Sequence, residues 1–121
     1  GVQKVALTRI EGVEATLSGA TWHEASQRLV ITTSVDDDDK GILGSFVSYI
    51  HAAELPKNAQ SKAADIDLTQ RAFRIYNNNQ PLTSKVESVV VTHTEGEKIS
   101  GVLTADNDDG TSQFMRFSLA L

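Results

Sequence analysis

The residue types with the most evident chemistry in this chain are acidic and clustered. Asp36-Asp37-Asp38-Asp39 runs into Lys40-Gly41, and Asp106-Asn107-Asp108-Asp109 runs into Gly110. Several carboxylate oxygens on one short loop suit Ca²⁺, a hard cation that takes about 6–8 oxygen ligands. Asp36, Asp38, Asp106, Asp108 and Asp109 are the candidate metal ligands, with Ca²⁺ as the candidate cofactor. Neither stretch has the glycine spacing or the closing glutamate of an EF-hand loop. The same residues also suit a solvated hairpin turn, because Asp caps its own backbone and Gly takes positive φ.

Other reactive types are dispersed. His23, His51 and His93 form no close pair, so a zinc site would need distant segments to converge. Glu11, Glu14 and Glu87 could pair as catalytic carboxylates, or could each hold a salt bridge or accept a backbone hydrogen bond. No Gly-x-Ser-x-Gly elbow occurs, and Gly41-Ile42-Leu43-Gly44-Ser45 lacks the lysine of a phosphate loop. Trp22 and Tyr76 are candidates for ligand stacking, against the commoner role of a half-buried aromatic in a core. With no cysteine in the chain, disulfides, thiolate metal sites and cysteine nucleophiles are excluded.

Strands must position these groups. Residues 28–35, 86–92, 99–105 and 113–119 are rich in β-branched or aromatic residues and flank Gly and Asp turns. Val2–Leu7 and Ala72–Tyr76 give weaker strand signals, and Asn77-Asn78-Asn79-Gln80-Pro81 reads as a turn. Thr92-His93-Thr94-Glu95 before Gly96 also reads as a turn. Leu29-Val30-Ile31 are consecutive apolar residues, as in a strand buried on both faces. Residues 42–53 are ambiguous. Ile42, Leu43, Phe46, Val47, Ile50 and Ala53 recur at helical spacing and fit one short helix, although Gly41 and Gly44 weaken it.

An internal repeat tips that balance. Arg9-Ile10-Glu11-Gly12-Val13 and Lys85-Val86-Glu87-Ser88-Val89 each lead to a strand, an acidic turn with Gly, and an aromatic segment, Phe46–Ile50 or Phe114–Ser118. By this analogy 44–50 is a strand, and the chain is one β domain, 1–121, with related units at about 9–50 and 85–119. Lys85 to Leu119, with its Ala105-Asp106-Asn107-Asp108-Asp109-Gly110 turn, resembles a terminal blade of bacterial β-propellers of the phytase-like (esterase-like activity of phytase) group. Residues 9–50 resemble such a blade less closely. A propeller needs at least four blades and this chain has room for two, or two and a half, so the resemblance implies a fragment, a ring completed by oligomerisation, or a different small β fold using similar hairpins.

The fold class expected is mainly β, built of antiparallel hairpin units resembling propeller blades. The 121 residues carry a net charge of −5 with scattered lysine and arginine, which argues against nucleic acid and anionic membrane surfaces. No apolar stretch approaches the roughly 18 residues that insert in a bilayer. The chain begins Gly1-Val2-Gln3 without Met, as after removal of a signal peptide, so a periplasmic or extracellular location is expected. The leading function is an exported, non-catalytic module for ligand binding or structural interaction, stabilised by Ca²⁺. Its partners would be a second copy or a chain pairing at a β edge. The alternative, from the resemblance, is a Ca²⁺-dependent phytase-like phosphoesterase.

Overall fold

Six consecutive buried residues, Val30 to Val35, form the middle of the longest sheet. The computed structural model describes residues 3–58, 64–107 and 109–121. In chain order the strands are β1 (Val5–Ala6), β2 (Arg9–Ile10), β3 (Val13–Glu14), β4 (Thr16–His23), β5 (Arg28–Asp37) and β6 (Gly41–His51). A single 3₁₀ turn, Ala52–Glu54, follows. Then come β7 (Ile66–Asp67), β8 (Phe73–Arg74), β9 (Tyr76–Asn77), β10 (Gln80–Pro81), β11 (Lys85–Glu95), β12 (Lys98–Asp106) and β13 (Ser112–Ala120).

Two antiparallel sheets carry the architecture. The first has the order β4-β5-β6-β8 and the second β11-β12-β13. β5 lies between β4 and β6, as its run of apolar residues on both faces requires. Its alternate residues part to opposite sides. Val30, with Val47 of β6, packs against Val86, Val89, Ile99, Leu103 and Leu119 of the second sheet. Ile31, with Ile50, packs on the other side against Ile66 and Leu68, under the parallel pair β1–β7. The sheets approach closely at Gly19, where a Cβ would lie 2.9 Å from Ser88 Cα, so this position of β4 admits no side chain.

Residues 42–53 hold no α-helix. Residues 42–51 belong to β6, paired along its length with β5, and only the 3₁₀ turn follows. The helical spacing misleads because β6 is buried on both faces from Gly44 to Ser48, so its apolar residues do not alternate. Thr92–Glu95 is likewise strand, the end of β11, and the turn falls at Gly96 and Glu97. The two acidic stretches do form hairpin turns, with Gly41 at φ +79° and Gly110 at φ +84°. Asn78 and Asn79 take φ 52° and 64° between β9 and β10.

The two sheets repeat one another in register. A bulge follows Leu17 in β4, and Gly19 then pairs with Thr32; a bulge follows Val86 in β11, and Ser88 then pairs with Thr104. Thr32 and Thr104 each meet a serine hydroxyl beside the bulge, Ser18 at 3.0 Å and Ser88, although Ser88 itself stands at the position of Gly19. The counterpart of β11 is therefore β4, and the equivalence of Arg9–Val13 with Lys85–Val89 fails. Arg9–Val13 instead makes the separate β2–β3 hairpin, with Glu11 and Gly12 at its positive-φ turn. Phe114 also corresponds to Val47, not Phe46, because Thr104 pairs with Phe114 where Thr32 pairs with Val47.

Candidate functional site

The acidic turns use part of their carboxylates on their own backbones. Asp37 Oδ1 accepts the N–H groups of Asp39 and Lys40, each at 2.9 Å. The Lys40 and then the Asp39 amide hold the Asp37 carboxyl below the usual aspartate range. Asp109 Oδ1 accepts the Thr111 hydroxyl at 2.6 Å and the Thr111 N–H at 2.9 Å, which lower its pKa in the same way. Asp106 accepts from Ser112, while Asp36 and Asp38 are exposed. Asp108 lies outside the described residues. Among the described residues no three His, Asp or Glu side chains converge as a metal group.

The remaining sequence candidates scatter over the molecule. Glu11 pairs with Lys40 at 3.7 Å, Glu14 with Arg9 at 3.5 Å and Glu87 with Lys85 at 3.9 Å, so the three glutamates do not meet. His23 is buried and joins the two sheets: Nδ1 meets Ser26 Oγ, and Nε2 lies 2.7 Å from Thr94 Oγ1 of β11. His93 is exposed near Glu95. Trp22 is exposed and donates Nε1–H to Glu24, whereas Tyr76 is exposed on β9.

His51 belongs to a cluster that sequence reading missed. Its ring stands edge-on to Tyr49, with centroids 5.6 Å apart. The guanidinium groups of Arg28 and Arg71 lie 5.1 and 5.6 Å from the centre of the Tyr49 ring. Arg71 also makes a bidentate pair with Glu54 at 2.7 and 2.8 Å, which holds the Glu54 carboxyl below the usual range. The cluster ties the segment after β6 back onto the sheet. Its members lie up to 43 positions apart in the chain, from Arg28 to Arg71, so no local motif announces them.

Several concavities among the described residues are large enough to hold a ligand group, and two of them adjoin the first sheet. One, of about 270 Å³, opens beside Val47, Phe73, Met115 and Phe117, with Arg74, Asn77 and Arg116 on its walls. The other, of about 450 Å³, lies on the outer face of the first sheet. There β1–β7 covers Ile31 and Ile50 but leaves Leu17, Ala20 and Leu29 open, and Val5, Leu55 and Ile66 complete an aliphatic wall. Gln3 closes one end of this groove, its Nε2 donating to Glu54 O at 2.8 Å. Leu17 and Ala20 gave no signal in the sequence, since a leucine at a strand start is usually core.

No helix among the described residues is long and apolar enough to cross a membrane. Residues 1–119 match the model of one family, described as "Family of unknown function (DUF6929)". Neither the curated proteins nor the solved structures include a match to the chain.

Proposed function

The chain belongs to that family, and we propose that it is a non-catalytic β module that binds an apolar group of its ligand or partner in the groove of the first sheet. The observation that carries this reading is the aliphatic wall of a cavity of about 450 Å³, where Leu17, Ala20 and Leu29 are open to solvent beside Leu55 and the buried Ile66. That size lies within the range of about 300–1,000 Å³ typical of ligand sites, and burial of such a wall rewards an apolar occupant. The dispersal of the histidines and glutamates into separate contacts supports binding over catalysis. The test is a titration of dilute native protein with the dye 1-anilinonaphthalene-8-sulfonate. We expect a saturable rise in fluorescence that Leu17→Asp abolishes. Equal binding by that variant, or turnover of a phosphomonoester with added Ca²⁺, would displace the reading.

A further inference from the structure

Four strand edges bound the two large sheets: β4 and β8 in the first, β11 and β13 in the second. A free edge exposes a row of unpaired N–H and C=O groups, and natural proteins blunt it with a bulge, a short strand, a proline or charges. Three of the four are blunted. β4 is bulged after Leu17, β11 is bulged after Val86 and again after Val91, and β8 is two residues long. Beyond one charge, Arg116, β13 has none of these devices. Its nine residues pair with β12 without a break and include no proline. Its far edge meets no other strand among the described residues. That edge borders the concavity of about 270 Å³, whose wall is mostly two unbroken runs, Phe73–Asn77 and Met115–Leu119. Successive side chains of a strand point to opposite faces, so a cavity lined by every residue of a run lies along the edge of the strand. The concavity is therefore the open side of the sandwich, with the β13 backbone at its mouth and Val47 and Leu103 of the core behind it.

We infer that this edge takes an extended, acidic segment of another protein, which adds a strand beside β13. Backbone pairing along an edge supplies affinity for an extended chain, and the side chains beside it select the sequence. Met115 and Phe117 are half-buried against the core on the inner face. Arg116 between them falls on the outer face, is exposed, and makes no ion pair or hydrogen bond with a described residue. The lining of the concavity contains no acidic residue. Residues directly opposite on neighbouring strands share a face. The strand that fits therefore has a carboxylate opposite Arg116, flanked by apolar residues opposite Met115 and Phe117. A second copy of this chain does not offer such a strand. β13 has no acidic residue, so self-pairing sets Arg116 opposite Ser112, Phe114, Arg116, Ser118 or Ala120. The β4 and β8 edges have none either. On β11, Glu87 is paired with Lys85 and Glu95 stands opposite Lys98. The concavity shares no lining residue with the first-sheet groove, so this edge is a second, independent site.

The probe is the synthetic peptide acetyl-Ser-Thr-Val-Glu-Val-Thr-Ser-amide, whose pattern reads the same in either strand direction. It is titrated into the whole chain and followed by NMR, with amide hydrogen exchange as the second readout. Saturating peptide should slow exchange at alternate residues of β13, those whose N–H groups face the free edge. The same peptide with lysine in place of glutamate should bind about tenfold more weakly, since opposite charges attract across a strand pair and like charges repel. Arg116→Glu should reverse that preference, and it should fold as the wild type does because Arg116 is exposed. Two peptides N-methylated at alternate residues test the pairing without any variant: the one whose methyl groups face β13 should not bind, and the other should. Equal affinity for the glutamate and lysine peptides, or equal binding by the two methylated ones, overturns the inference. So does a wild type that binds no peptide at millimolar concentration. Slowed β13 exchange on concentrating the protein alone would give the edge to a second copy instead. Competition by the dye would move the peptide to the first-sheet groove, whereas failure of the peptide leaves the dye titration and the groove reading untouched.

Discussion

Gly101 offers the sharpest check on the packing of the second sheet. A Cβ at this position would lie 1.9 Å from the carbonyl oxygen of Val90 and 2.9 Å from its carbon. Both are backbone atoms of β11, which pairs with β12 here next to the bulge between Val91 and His93. They cannot swing aside as a side chain can, so β12 must retreat by about 1 Å or more, straining the ladder on that side. Gly101 lies outside the positive-φ region, so its backbone would accept alanine. Freed of the clash, Gly101→Ala should stabilise the fold by about 0.4–1 kcal/mol through the unfolded chain. Overpacking against fixed backbone costs about 1–3 kcal/mol or more. The net effect should be a loss of about 2 kcal/mol, lowering Tm by about 8 °C in a domain of this size. Gly44→Ala is the control. Its Cβ would meet Ile10 Cδ1 at 2.7 Å and the Arg74 guanidinium at 3.0 Å, ends of long side chains that can move. Urea unfolding of both variants reads the difference. If Gly101→Ala matches or exceeds the wild type while its spectrum is unchanged, the close approach of β12 to Val90 is wrong.

The remaining expectations are simpler. Ile31→Ala, under β1–β7, should cost about 2–5 kcal/mol in denaturant unfolding, and a loss well below 1 kcal/mol would remove Ile31 from the core. The Glu54 carboxyl is held low in the folded chain by Arg71, so its contribution is present above the ordinary glutamate range near pH 4 and fades as pH falls through the lower folded value. Glu54→Gln should therefore flatten the acid limb of the stability curve and cost about 1 kcal/mol at neutral pH; an unchanged acid limb would count against the pair. With Asp37 and Asp109 engaged as turn caps, CaCl₂ and NaCl of matched ionic strength should shift Tm equally. A rise specific to Ca²⁺, abolished by Asp106→Ala, would instead assign the acidic turns to a cation.

The sequence by itself determined whatever depends on neighbours along the chain. The β-branched run Val30–Thr33 between further apolar residues pointed to a central strand, and Asp shortly before Gly41 or Gly110 pointed to a tight hairpin turn, because capping and positive φ are local properties. The sequence also showed that two similar hairpins recur. It misplaced their alignment, because side chains alternate with period two and a slip of one residue exchanges the faces. Pairing Phe114 with Phe46 would have set both aromatics on matching sides; the bulges after Leu17 and Val86 align Thr32 with Thr104, and Phe114, opposite Thr104, is exposed. Residues 42–51 became strand only because β5 and the layers above and below claimed both faces of β6. The groove beside Leu17 and the Arg28–Tyr49–Arg71 cluster likewise belong to the tertiary structure alone. Each is assembled from strands and loops far apart in the chain, and cover or exposure is decided by which other layer reaches a face, a fact no local pattern encodes.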